Sequence, residues 1–197
     1  MMHLTHGCCR CVRVGLLMLA LLIGSAFADE YTPVNDLLRN GQLDAAMVKA
    51  NQYLATNPRD PQMQFLRALI QQDGGRQADA IASYNRLIES YPELPEPYNN
   101  VAVLYANQGQ YDKARASLEM ATRASRSYAT AYENLGDVYA RLAIQSYTQA
   151  QQLEPGNTTV APKIALIRQL ITTPVQSRAS APTDRAIPAR PAASTAR

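Results

Sequence analysis

Through the middle of the chain, apolar residues return every three or four positions, the spacing of one buried helix face. In Ala80 to Pro92 (AIASYNRLIESYP) they are Ile81, Tyr84, Leu87, Ile88 and Tyr91. In Pro95 to Asn107 they are Tyr98, Val101, Ala102 and Tyr105. Both stretches predict amphipathic helices. At the amino end the pattern gives way to an unbroken apolar run of ten residues, Val14 to Ile23 (VGLLMLALLI). After Ile171 it stops.

The helical pattern is itself repeated. Gly41, Gly75 and Gly109 lie 34 residues apart, as do Ala46, Ala80 and Ala114, and Pro58 and Pro92. Each unit reads as helix, tight turn, helix. Glycine at the turn permits a positive φ. The small residues Ala102 and Ala114 let two helices approach closely, and Tyr105 and Tyr111 fill the space around that crossing. No unit can bury its apolar stripe alone, so the units must stack.

This pattern resembles the tetratricopeptide repeat family. The third unit carries it most fully, in Tyr98, Val101, Ala102, Tyr105, Gly109, Tyr111, Ala114, Leu118 and Ala121, with Arg126 where the family favours proline. The resemblance covers roughly residues 33 to 155. It implies an all-α solenoid with units at about 29–58, 59–92, 93–126 and an irregular 127–155. The first unit is expected to have only a short leading helix. The second places Gln64, Arg67 and Gln71 where larger apolar residues are usual. Its leading helix is therefore either rotated or exposes apolar surface.

The fourth unit lacks its turn. Asn134-Leu135-Gly136 and Tyr139 keep the 34-residue phase, but Ala143, Tyr147, Ala150 and Pro155 match a second helix five residues early. No Gly or Pro occurs between Gly136 and Pro155. The stripe Tyr132, Leu135, Tyr139, Leu142, Ser146, Tyr147, Ala150, Leu153 runs through the gap. One helix from about Ala129 to Leu153 is predicted, about 37 Å long. Its outer half needs another apolar surface. Either a closing helix through Val160, Ile164, Ile167 and Ile171 (residues 158–171) caps it, or a second copy of the chain does, making a homodimer.

The amino-terminal run belongs to a different kind of segment. Arg10 and Arg13 precede it, and Gly24-Ser25-Ala26-Phe27-Ala28 follows, ending in a small-x-small pattern. This is a secretory signal layout. Ten apolar residues are too few for a membrane span, which needs about 20. Residues 1–28 are expected to be cleaved between Ala28 and Asp29, with an uncleaved anchor as the alternative. Export follows, to the periplasm. No Cys follows the run, which argues against a lipoprotein.

Composition then changes the chemistry available. All three Cys (Cys8, Cys9, Cys11) and both His (His3, His6) precede the cleavage point, and Trp is absent. The expected mature chain loses its thiol, its imidazole and its soft metal ligands. Without Arg10 and Arg13 the net charge of +3 falls to about +1. No basic patch suggests nucleic acid, and no Gly-rich phosphate loop or Ser–Lys motif suggests a small-molecule substrate. Residues 172–197 hold four Pro, seven Ala, four Arg and one Asp, and are expected to be disordered. This basic tail reads as a solvated segment or as an electrostatic tether. No enzyme, cofactor or metal is expected.

The family resemblance implies binding instead. Its leading helices line a concave groove that holds a peptide or helix of a partner. The groove residues here are Phe65 and Leu69, then Asn99, Val103 and Asn107, then Glu133 and Asp137. They grade from apolar through amide to acidic, so the expected partner segment is apolar and basic. Phe65 and Leu69 have a second reading as core packing. The family's basic residues for acidic peptide ends are missing. The function expected is a non-enzymatic scaffold docking another envelope protein. The alternative is a structural protein that associates with itself through Ala129 to Leu153.

Overall fold

A computed structural model describes residues 30–171 of the chain. Among these residues the regular elements are eight helices: α1 (Thr32–Arg39), α2 (Leu43–Thr56), α3 (Pro61–Asp73), α4 (Gln77–Ser90), α5 (Pro95–Asn107), α6 (Tyr111–Ala124), α7 (Ala129–Leu153) and α8 (Val160–Leu170). Each packs on the next in sequence, and leading helices also meet across units, α1 on α3 and α5 on α7. This is the stacked array that the 34-residue spacing predicts.

The turns explain the spacing. Gly41, Gly75 and Gly109 all adopt φ between 70° and 73°. In each turn the next N–H reaches back five residues, Gln42 to the Leu37 carbonyl, Arg76 to Gln71 and Gln110 to Tyr105, each at 2.9 Å. The glycine N–H closes a second bond three residues back. Carbonyls left open at the helix end are thus satisfied, and only glycine takes that backbone shape cheaply. The leading helices α3 and α5 begin with Pro61 and Pro95, where a missing N–H costs nothing.

Asp60 joins the first two units. Its Oδ1 accepts the Met63 N–H at 2.7 Å and so caps α3. Its Oδ2 accepts the Tyr31 hydroxyl at 2.7 Å and the Tyr53 hydroxyl at 3.4 Å. Burial and the Asp60 carboxylate push the Tyr31 phenol well above its ordinary value, so it stays a donor.

Two apolar cores follow. One gathers Val34, Leu38, Leu54, Met63, Phe65, Leu66, Leu69, Ile70, Tyr84 and Leu87 from the first two units. The other gathers Tyr98, Ala102, Val103, Leu118, Ala121, Ala131 and Val138 from the last two. The second unit's leading helix exposes no large apolar residue: Met63, Phe65, Leu66, Leu69 and Ile70 are all buried. Gln64, Arg67 and Gln71 are half-buried among them.

The fourth unit continues as one uninterrupted helix. Ala143 stands in the phase of Gly109, and alanine favours the helix that glycine would break. α7 therefore spans Ala129–Leu153 without a turn. α8 folds back and packs on α7, burying Val160 and Ile164, with the Lys163 ammonium 5.3 Å from the Tyr147 ring centroid. The closing helix expected from the sequence is thus in place. No helix among the described residues is long and apolar enough to cross a membrane. Ala28, Asp29 and residues 172–197 lie outside the described residues.

Candidate partner-binding groove

The leading helices α3, α5 and α7 repeat one face at the 34-residue period. Phe65, Asn99 and Glu133 share one phase, and Leu69, Val103 and Asp137 share the next turn. The structure divides these residues into two groups. Phe65 is 1% exposed, and its ring lies 5.7 Å from that of Tyr84 on α4. Leu69 is equally buried, in the same core. Val103 joins the second core. Asn99 is buried too, and its Oδ1 accepts the Asn134 side-chain N–H at 2.8 Å.

These four residues therefore do not form an open groove floor, which corrects that expectation. The aromatic pair and the buried amide pair use the atoms that a partner would need. Core packing is the reading that holds for Phe65 and Leu69. What stays accessible is the later end: Asn107 and Glu133 are exposed, and Asp137 is half-buried.

The accessible end is acidic. Burial pushes the Asp137 carboxyl up, Arg141 one turn later pulls it down, and Glu133 one turn earlier pushes it up again. Arg141 also lies 6.0 Å from the Tyr111 ring centroid, which ties this end to α6.

One row of residues escaped the sequence reading. Gln62 and Glu96 share a phase, three residues before Phe65 and Asn99. Gln62 is buried and Glu96 half-buried, yet Gln62 Oε1 and Glu96 Oε2 have no hydrogen-bond partner. Burial pushes the Glu96 carboxyl up. The 34-residue spacing was the signal that could have found them. Both atoms are acceptors in want of donors.

Among the described residues no group of three or more His, Cys, Asp or Glu is placed to hold a metal ion. A crevice of about 320 Å³ at the opposite end, between α1 and α2, is lined by Glu30, Pro33, Lys49, Tyr53 and Asn57, and gathers no catalytic set.

Stacked two-helix units, glycine-turned at a fixed period and lined by repeated side-chain positions, define a helical-repeat binding protein. Family models agree. A tetratricopeptide repeat model matches residues 31–95, a second such model matches 83–116, and a TPR repeat model matches 104–142. The chain belongs to the tetratricopeptide repeat family, whose members act through protein–protein interactions.

Among curated relatives, a chloroplastic tetratricopeptide repeat domain-containing protein, PYG7 of Arabidopsis thaliana, is 28% identical over 62% of this chain and 36% of its own length. The photosystem I assembly protein Ycf3 of Cyanophora paradoxa is 30% identical over 50% of this chain and 55% of its own. The chain thus spans between a third and somewhat over half of these relatives. Among solved structures, one of MamA aligns at a TM-score of 0.51 with 22% identity, covering 71% of this chain and 79% of that one. The Naa15/Naa10 complex bound to HypK-THB aligns at 0.51 with 18% identity, over 72% of this chain and 22% of that one. These likenesses concern the fold.

Proposed function

We propose that the chain is a non-enzymatic scaffold, exported to the cell envelope, that docks a basic and partly apolar segment of another envelope protein. One observation carries the binding mode. The last leading helix presents two carboxylates one turn apart, Glu133 exposed and Asp137 half-buried. A partner must therefore bring donors: Lys or Arg side chains, or the N–H groups of an extended backbone. The raised Asp137 carboxyl fits this reading, because a bound cation would offset the cost of its charge. That Ycf3 is a photosystem I assembly protein accords with a scaffold. Export rests on the amino-terminal pattern of Arg10, Arg13 and Val14 to Ala28.

A random peptide display selected on the purified chain tests the binding mode. Enrichment of Lys- and Arg-bearing peptides is expected. Glu133→Lys with Asp137→Lys should weaken a selected peptide by about tenfold or more, roughly 1.4 kcal/mol. Unchanged affinity would rule out this face. Mass spectrometry of the protein from envelope and cytosolic fractions tests export. Recovery of a chain beginning at Asp29 in the envelope supports it, and an intact amino terminus in the cytosol overturns it.

A further inference from the structure

The fourth unit leaves one helix face without the cover its counterparts have. In the third unit α6 folds back over α5, and Ala114, Leu118 and Ala121 are fully buried beneath Tyr98 and Ala102. Tyr132 and Tyr139 stand one period after Tyr98 and Tyr105. They are 49% and 48% exposed, because α7 runs straight on instead of folding back. α8 does not fill this place. It lies beside Tyr147, on the side of the outer half where Ile144, Thr148 and Gln151 are half-buried.

This face extends along the whole of α7, with Leu135 and Leu142 at its edge packed against the second core and the Tyr139 hydroxyl donating to Glu119 Oε1 at 3.3 Å. At about 100° per residue, Tyr132, Leu135, Tyr139, Leu142, Ala143, Ser146, Ala150 and Leu153 fall within a sector about 100° wide. Ser146, Ala150 and Leu153 are exposed, and Leu153 is 76% exposed. The three charged residues of α7, Glu133, Asp137 and Arg141, lie outside this sector.

The order of residues along the seam names its occupant. The seam is symmetric about the point between Leu142 and Ala143: Tyr132 mirrors Leu153, Leu135 mirrors Ala150, Tyr139 mirrors Ser146, and Leu142 mirrors Ala143. In three of these four pairs a large side chain faces a small one. An antiparallel copy of the same helix would bring each pair together, large against small, around a two-fold axis. Ala143 and Ala150, seven residues apart, would let the helices come to about 8 Å. The outer half also carries the second-helix residues Ala143, Tyr147 and Ala150 that its own inner half cannot receive.

We propose that two copies pair antiparallel through α7, each supplying the second helix that the other's fourth unit lacks. The seam holds no residue charged at neutral pH, so no like charges oppose one another across the axis. The partner helix occupies the seam, and Glu133 and Asp137 lie outside it.

Light scattering of the purified chain from about 1 to 100 µM should give twice the monomer mass. Ser146→Arg and Ala150→Arg, at exposed seam positions, should each raise the dimer dissociation constant at least tenfold, roughly 1.4 kcal/mol. Gln145→Arg and Gln152→Arg, exposed on α7 but off the seam, should leave it unchanged. Circular dichroism should show equal helicity in all four. A photoreactive benzophenone side chain at Tyr139 should give a product of dimer mass, joined to the segment around Ser146. A monomer throughout that range overturns the proposal. So does a dimer indifferent to Ala150→Arg, or one cross-linked elsewhere.

Discussion

The third and fourth units start alike and finish differently. Tyr98, Ala102 and Tyr105 recur as Tyr132, Gly136 and Tyr139. In the third unit a glycine with φ 73° turns the chain and α6 returns over α5. In the fourth the same phase holds Ala143, and the helix goes on. Motif residues therefore do not bury themselves. Ala102 is fully buried where a second helix closes on it, whereas Gly136 is exposed where none does. The turn decides what the helix residues are worth.

Substitutions can test this contrast, the largest effect first. Leu118→Ala, in the closed third unit, should cost about 2–5 kcal/mol in a urea titration, from lost burial and the cavity left behind. Leu153→Ala on the open end should cost less than about 0.5 kcal/mol in the monomer. Equal losses would show the fourth unit to be as closed as the third.

Next comes the joint between the two units. Asn134→Ala should cost about 1–3 kcal/mol, because it leaves the buried Asn99 carbonyl without a donor. A negligible loss would mean that the amide pair does not hold the units together.

The two glycines should then respond in opposite directions. Gly109→Ala forces an L-residue to φ 73° and should cost about 1 kcal/mol. Gly136→Ala places a Cβ in open space inside a helix and should stabilise by about 0.5–1 kcal/mol. Thermal melts of the two variants should bracket the parent.

Smallest is the pH effect. Burial raises the Glu96 carboxyl from 4.5 and the Asp137 carboxyl from 3.8, so both hold protons more tightly folded than unfolded. Their contribution to stability is complete below those ordinary values and is lost as pH rises through the raised ones. Glu96→Gln and Asp137→Asn should flatten that part of a stability profile above the ordinary carboxylate values, each separately.

Most of the fold was legible, because its rules are local. Three glycines at one spacing announced three positive-φ turns, and the absence of any breaker from Asp137 to Glu154 announced the long helix. The binding face was less legible. Burial of Phe65 depends on Tyr84, nineteen residues on and on another helix, and burial of Asn99 depends on Asn134 in the next unit. A hint was present in α3, where apolar residues at 63, 65, 66, 69 and 70 span an arc of about 160°, wider than a single narrow stripe. The unpaired acceptors of Gln62 and Glu96 have no sequence signature beyond their shared phase.

The Asp60 carboxylate has a consequence for how the array opens. End units of a repeat protein ordinarily fray first, because they have a neighbour on one side only. Here α1 is only eight residues long, yet Tyr31 just before it and Tyr53 in α2 both grip the residue that caps α3. Peeling away the first unit would strip partners from the cap of the second. Amide protons of α1 and of the first turn of α3 should therefore exchange with solvent as one cooperative group, at one shared rate.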